Sequence, residues 1–304
     1  MLKLWRENER FKGKKESCLT AILITKGCRW RKCTMCSYWL ESRNVSNEIL
    51  KEQIDKIFER IDTKLLKIFT SGSFFDENEI PAEIRRYLVE KIEKHGVEKL
   101  IVESRPEFIT EEKLKDFKNI ELEVGIGLES ASDFIRLNCI NKGFMFSDFL
   151  SAAKKIKEMG FRVKCYLLLK PPFLSEREAI LDVIISAEKV SGIVDVVSIN
   201  LTNIQKGTFV EKLWEKNLYR PPWLWSAVEA IKKIESPLEI LCDPVAGGKA
   251  RGPHNCGKCD REVANALRLF SLTQDKSLLE LDCECKLFWK KALEIEDFSR
   301  VPLF

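Results

Sequence analysis

The stretch Leu19-Thr20-Ala21-Ile22-Leu23-Ile24-Thr25-Lys26-Gly27-Cys28-Arg29-Trp30-Arg31-Lys32-Cys33-Thr34-Met35-Cys36-Ser37-Tyr38 decides the reading of this chain. An apolar run, Leu19 to Ile24, passes into a loop whose cysteines stand at C-x4-C-x2-C spacing. Three close thiolates suit a soft metal centre, because sulfur donates to iron, zinc or copper better than oxygen does. Three is one short of the four that close a structural zinc site. A cluster on three thiolates keeps one iron open to an outside ligand. A zinc knuckle needs a fourth donor close by, and neither His nor Cys follows Cys36 before His95. Cys18 could serve only if the strand bent back on itself.

Working outward, six short apolar runs alternate with amphipathic stretches up to about residue 200. The runs are Leu19–Thr25, Leu65–Thr70, Lys99–Glu103, Leu122–Leu128, Arg162–Leu169 and Val194–Asn200. They show little period-two alternation, as expected of strands buried on both faces. The intervening segments Ser46–Ile61, Ala82–Lys94, Thr110–Phe117, Ser147–Met159 and Glu176–Val190 carry helical spacing, the first behind a Ser cap. Six strand–helix units predict an α/β fold with a parallel sheet. The cysteine loop at the end of the first strand favours a partial (β/α)6 TIM-type barrel over a doubly wound sheet, with its site at the strands' carboxyl ends. The expected organisation is a basic arm over 1–17, the barrel with a helical extension over 18–236, and a Cys-rich, metal-binding extension over 237–304.

Composition bounds the function. The 304 residues are 45% hydrophobic and 32% charged, as in an ordinary globular protein. No apolar run has the length of a membrane span, and the N-terminus lacks a signal-peptide core, so a cytoplasmic protein is expected. Eleven cysteines without a secretion signal argue for metal or redox chemistry rather than disulfides. Cys18 and Cys165 lie in strand-like runs and read as small buried hydrophobes. The net charge of +4 by itself identifies no nucleic-acid partner. Local density says more: Lys3, Arg6, Arg10, Lys12, Lys14 and Lys15 precede the first strand, and Arg29, Arg31 and Lys32 lie in the cysteine loop. Such residues read equally as a phosphate-binding track or as a solvated arm.

A second cysteine group lies far along the chain. Arg251-Gly252-Pro253-His254-Asn255-Cys256-Gly257-Lys258-Cys259-Asp260 holds a C-x2-C pair in a Gly-rich loop, and Cys283-Glu284-Cys285 follows a helical stretch at Arg261–Leu272. The simplest closed zinc site is Cys256, Cys259, Cys283 and Cys285, with Cys242 or His254 as substitutes for one of them. A second iron–sulfur cluster uses the same ligand set, and reduced cysteines in a small core are the plain alternative.

The cysteine triad after the first strand, with the aromatic Tyr38 soon behind it, resembles the radical S-adenosylmethionine (SAM) superfamily. Its C-x4-C spacing is similar to the subgroup related to the Elongator catalytic subunit. The resemblance implies that Cys28, Cys33 and Cys36 hold a [4Fe–4S] cluster, that S-adenosylmethionine chelates the open iron, and that its reductive cleavage gives a 5′-deoxyadenosyl radical. It further implies that the Ser71-Gly72-Ser73 turn binds the methionine amine. Glu129 is expected to meet the cofactor's ribose or methionine, and Tyr38 to seal the cluster from water. Arg105, balanced by Glu103, and Arg136 are candidate carboxylate anchors, while Asn141, Lys142, Lys164, Lys170 and Asn200 are weaker polar candidates. The aromatics Trp30 and Trp39 could stack on a nucleotide or join the seal.

The C-terminal block, Gly-Pro-His-Asn-Cys-Gly-x-Cys-Asp followed by Phe270-Ser271-Leu272-Thr273-Gln274-Asp275 and Cys-x-Cys, narrows the resemblance. It is similar to the family of radical SAM subunits that form archaeosine in tRNA. That likeness implies cleavage of the lysine C–N bond in a lysine-adducted 7-cyano-7-deazaguanosine, with tRNA, a lysine-transferring archaeosine synthase subunit and a reducing electron donor as partners. Another radical SAM enzyme, acting on tRNA or on a small molecule, and a non-catalytic zinc-binding tRNA scaffold are the rival expectations.

Overall fold

The computed structural model describes residues 2–302. These divide into two compact units, one of residues 2–31, 38–127 and 147–164, the other of residues 32–37, 128–146 and 165–302. Eight strands follow one another in chain order within one sheet.

In the first unit, β1 (Lys3–Phe11) and β2 (Lys14–Ile22) pair antiparallel. Their connection places both Lys12 (φ 49°) and Gly13 (φ 77°) in the left-handed region, the backbone a two-residue hairpin turn needs. Then come α1 (Asn47–Phe58), β3 (Leu65–Phe69), α2 (Ala82–His95), β4 (Lys99–Glu103), the single turn α3 (Glu111–Leu114), β5 (Glu121–Glu129), α4 (Phe146–Glu158) and β6 (Arg162–Leu169). The steps β2–β3, β3–β4 and β4–β5 are parallel. Ser46 caps α1 through the Ile49 N–H, and Leu50, Ile54 and Ile57 bury its inner face.

The second unit takes the ends of β5 and β6 and adds α5 (Glu176–Val190), β7 (Val196–Leu201), α6 (Phe209–Glu215), α7 (Leu224–Lys233), β8 (Glu239–Leu241), α8 (Asp260–Thr273) and α9 (Lys286–Ser299). β7 and β8 are parallel. A reciprocal capping box, Ser175 with Glu178, starts α5. Among the described residues no helix is long and apolar enough to cross a membrane.

The expected strands and helices stand close to where their patterns lie, and two departures matter. Residues 3–17, expected as an arm, form β1 and the first part of β2. Three of their basic groups face acids: Lys3 meets Glu41 (2.6 Å), Arg6 meets Asp62 (2.7 Å) and Lys12 meets Glu98 (3.4 Å). The second departure is α9, which begins directly behind Cys285.

The inward face of β1 is charged. Glu7 and Glu9 both pair with Lys67, Lys164 reaches Glu9 (3.7 Å) and Glu123 (2.7 Å), and Lys99 reaches Glu123 (2.8 Å). The side chains of Glu123 and Lys164 are only 1% and 4% exposed. Burial opposes ionisation of Glu123, but Lys164 and Lys99 outweigh it and hold the carboxyl well below the ordinary carboxylate range. A depressed carboxyl adds stability above its unfolded pKa and loses it as pH falls through the folded value. Replacement Glu123→Gln leaves two buried ammonium groups short of a counter-charge, so urea unfolding at pH 7 is expected to show a loss of about 3–5 kcal/mol. A loss below about 1 kcal/mol would contradict this reading of the network.

Candidate functional site

The cysteine loop is fastened to its surroundings before it reaches the first thiol. Gln53 of α1 grips both backbone polar groups of one residue, accepting from the Ile24 N–H (2.8 Å) and donating to the Ile24 carbonyl (3.1 Å). The Thr25 hydroxyl donates to Glu79 (2.6 Å), and the other Glu79 oxygen accepts from the Ser73 N–H (2.5 Å). The Cys28 N–H donates to the Ser71 carbonyl (3.1 Å). Gly72 allows that approach: a Cβ there would lie 2.5 Å from the Cys28 nitrogen and 2.0 Å from a Glu79 oxygen. Arg31, at φ 51°, folds back to donate to the Cys28 (2.8 Å) and Lys26 (3.0 Å) carbonyls. Arg29 makes a bidentate pair with buried Asp76 (2.7 and 2.9 Å) and covers the Phe108 ring.

The segment with Cys33 and Cys36 is held separately, within the second unit. Thr34 donates through its N–H to Ile140 (2.9 Å) and through its hydroxyl to Cys139 (2.8 Å). The Thr34 carbonyl accepts from the Val210 N–H (3.1 Å), and the Ser37 N–H donates to the Gln205 side chain (2.7 Å). Met35 packs against two apolar clusters, one around Ile140 and Leu168, the other around Ile204 and Val210. Cys28, Cys33 and Cys36 are free thiols and each is partly exposed. Each of the two segments thus presents accessible sulfur, a donor that suits a soft metal.

The remaining candidates fall into different environments. In the Ser71–Ser73 turn the Gly72 N–H donates to Thr70 Oγ1 (3.1 Å) and the Ser73 N–H to Glu79. The Ser73 hydroxyl accepts from the Arg105 N–H (3.1 Å), and the Glu103 carbonyl accepts from the Phe74 N–H (2.8 Å). The Arg105 guanidinium pairs with Glu107 (2.5 Å) and covers the Trp30 ring. Glu129, at the end of β5, is buried, pairs with Lys142 (2.6 Å) and has φ 67°. That left-handed backbone costs a non-glycine residue about 1–2 kcal/mol and marks a position held for its side chain.

Arg136, expected as a carboxylate anchor, is wholly buried and donates to the carbonyls of Ser130 (2.5 Å) and Phe144 (2.9 Å) while pairing with Asp133. It therefore clamps its own loop. Lys164 lies early in β6, is occupied by Glu123 and Glu9, and belongs to the buried charge network. Asn200, near the end of β7, accepts from the Ser198 hydroxyl (3.5 Å). Tyr38, expected to seal the cluster, is 56% exposed.

Asp182 on α5 went unnoticed in the sequence. It accepts from the Ser130 hydroxyl (2.7 Å), next to Glu129, and burial pushes its carboxyl up to about 6.

The C-terminal cysteines form a closed set. The sulfurs of Cys256, Cys259, Cys283 and Cys285 all lie within 4.8 Å of one another. The pairs Cys256–Cys259, Cys256–Cys283 and Cys259–Cys285 stand at 3.8, 3.9 and 3.6 Å. A zinc–sulfur bond of about 2.3 Å in a regular tetrahedron gives sulfur–sulfur edges of about 3.8 Å. That match favours one tetrahedral ion; a cubane, whose four thiolates bond four different irons, needs wider spacing. Trp225 Nε1 donates to Cys285 Sγ (3.2 Å) and Asn255 Nδ2 to Cys259 Sγ (3.4 Å), hydrogen bonds that favour thiolates. The two substitutes lie outside this set: Cys242 is buried with its N–H on Ser271 Oγ (2.7 Å), and His254 Nδ1 contacts the Gly252 carbonyl (2.8 Å).

The pattern of the radical SAM superfamily matches residues 22–184, from the end of β2 into α5. The chain belongs to that superfamily, and its α/β fold is the superfamily's partial barrel. Within it, the chain is a member of the archaeosine synthase subunit beta family. It is 46% identical to the Methanosarcina acetivorans protein of that name over 97% of this chain and 90% of the relative. It is 42% identical to the Thermococcus kodakarensis one over 95% and 96%. Among solved structures it resembles a queuine lyase from Clostridium spiroforme (TM-score 0.52, 22% identity, 70% of this chain and 88% of that one). It also resembles the archaeal Methanocaldococcus infernus Elp3 (TM-score 0.53, 16% identity, 74% and 59%). These two likenesses concern the fold alone.

Two outcomes follow from the geometry. Gly72→Ala is expected to keep the far-UV circular dichroism of the parent but to lose most of its cluster iron, because the new methyl group displaces Cys28; full iron loading would refute the close-approach argument. Asp182→Asn is expected to gain about 1–3 kcal/mol at pH 8 and nothing at pH 4, since a raised carboxyl weakens folding as pH climbs from its unfolded value through its folded one. Urea unfolding at both pH values checks this.

Proposed function

We propose that this chain is the radical-generating subunit of an archaeosine-forming enzyme, acting on lysine-adducted 7-cyano-7-deazaguanosine in tRNA and breaking the lysine C–N bond. The observation that carries the reading is the likeness to archaeosine synthase subunit beta from two organisms over almost the whole of both chains. When bound, a [4Fe–4S] cluster and S-adenosylmethionine supply the one-electron chemistry that starts a radical reaction.

The chain's own residues do the rest. Cys28, Cys33 and Cys36 supply three thiolates and leave one iron position to the cofactor. Glu129, paired with Lys142, is the candidate for the ribose or methionine of S-adenosylmethionine, and Arg105, paired with Glu107, is a candidate for its carboxylate. Cys256, Cys259, Cys283 and Cys285 hold a zinc ion that staples the C-terminal loop to the start of α9. The partners are tRNA, a lysine-transferring subunit and a reducing electron donor, and the setting is the cytoplasm. Arg29 and Arg31 are tied into the cysteine loop, by Asp76 and by the Lys26 and Cys28 carbonyls.

The test supplies anaerobically reduced protein with S-adenosylmethionine and lysine-adducted tRNA and measures both products. Archaeosine together with 5′-deoxyadenosine is expected, and Cys33→Ala is expected to form neither. Deoxyadenosine without archaeosine would overturn the substrate and leave the radical chemistry standing. Metal analysis of the anaerobic protein is expected to give about four irons and one zinc. About eight irons without zinc would overturn the mononuclear C-terminal site.

A further inference from the structure

We propose that Arg251 is a positioning residue through which the C-terminal metal loop fixes the segment bearing Cys33 and Cys36. The inference rests on the metal assignments just made. Arg251 stands in the same loop as Cys256, and its backbone carbonyl accepts from the Ile204 N–H (2.7 Å). Its guanidinium donates from Nε to the Ile204 carbonyl (3.2 Å), pairs with Glu211 and lies 4.9 Å from the Trp214 ring centre. One residue thus seizes both polar groups of the Ile204 backbone and the start of α6 together.

The span it seizes carries the contacts that hold the cluster segment. Gln205 accepts from the Ser37 N–H, the Val210 N–H donates to the Thr34 carbonyl, and Met35 packs on Ile204 and Val210. Residues 204–211 are therefore a strap, tied to Arg251 at one side and to Thr34, Met35 and Ser37 at the other. The anchor end is rigid. The Gly252 N–H donates to the Lys249 carbonyl (2.8 Å), and a Cβ on Gly252 would lie 2.0 Å from the Ala246 carbonyl oxygen. Arg220 donates to the His254 carbonyl (2.8 Å), and four thiolates on one ion fix the loop's far end at Cys256 and Cys259. Metal release frees that end, loosens the strap and leaves Cys33 and Cys36 less well placed. The C-terminal ion thereby sets how firmly the distant cluster is held.

The experiment compares the full-length anaerobic protein with Arg251→Ala, Arg251→Lys, Gln205→Ala and Cys283→Ser. It reads amide hydrogen exchange, zinc content, and iron release to a chelator followed by the sulfur-to-iron absorption. Arg251→Ala is expected to keep its zinc while the Thr34, Ser37 and Val210 amides exchange about tenfold faster and iron leaves faster. Arg251→Lys is expected to rescue partly, because it keeps a cation for Glu211 but has no second arm for Ile204. Gln205→Ala is expected to raise exchange at Ser37 alone, and Cys283→Ser to lose zinc and match Arg251→Ala, with the β3 amides unchanged in every variant. Unchanged exchange at 34–37 in zinc-bearing Arg251→Ala, or in zinc-free Cys283→Ser, overturns the proposal. A parent protein that holds no zinc overturns the metal assignment instead, and Arg251→Ala then still decides whether the strap exists.

Discussion

The buried carboxylate of Glu79 is the contact on which the site's construction turns. It joins Thr25, at the exit of the first parallel strand, to Ser73, in the turn after the next strand. Burial raises its carboxyl, and hydrogen bonds from Thr25 and Ser73 work against that rise. With these two strand exits locked together, the Cys28 N–H can settle on the Ser71 carbonyl and Gly72 can lie against Cys28. A cluster with only three protein ligands requires this kind of rigidity. A fourth thiolate would let the metal itself organise the loop, as in zinc fingers, whereas three leave the chain to do more of the organising.

The second half of the loop meets the same requirement by other means. Thr34, Met35 and Ser37 are each gripped by residues from later in the chain, so Cys33 and Cys36 are placed by hydrogen bonds from their neighbours and one half-buried methionine. Met fits this role because a flexible thioether fills an irregular gap between two clusters. The loop's arginines turn inward too. Arg29 and Arg31 satisfy Asp76 and two carbonyls, so their charge contributes to loop shape before it contributes to any nucleic-acid surface.

Much of the fold was legible because the parallel strands are continuous apolar runs and the helices carry 3.6-residue spacing, as in β4, β6 and α5. β1 was not, since Glu7 and Glu9 precede Phe11 on its inward face, and those two acids depend on lysines of β3 and β6 for their counter-charge. The four C-terminal cysteines that the structure gathers were legible as a group from their spacing. What the spacing could not give was the choice of Cys283 and Cys285 over Cys242 and His254, which rests on where α8 returns the chain. The partners of Arg136 and Lys164 were not legible, for a shared reason. A basic residue after or within a strand looks the same whether it faces a ligand or a buried carboxylate, and partners such as Asp133 and Glu123 declare themselves only in three dimensions. Glu79 and Arg251 carried no signal at all, being single polar residues whose importance lies entirely in what they touch.

The central claim is that Cys28, Cys33 and Cys36 hold a cluster with one iron open to S-adenosylmethionine. Electron paramagnetic resonance of the anaerobically reconstituted, reduced protein, recorded with and without S-adenosylmethionine, addresses it directly. A [4Fe–4S] signal whose g-values shift when the cofactor is added is the expected result, because the added ligand changes the electronic environment of the open iron. A protein with no such signal, or with a signal indifferent to the cofactor, would contradict the account.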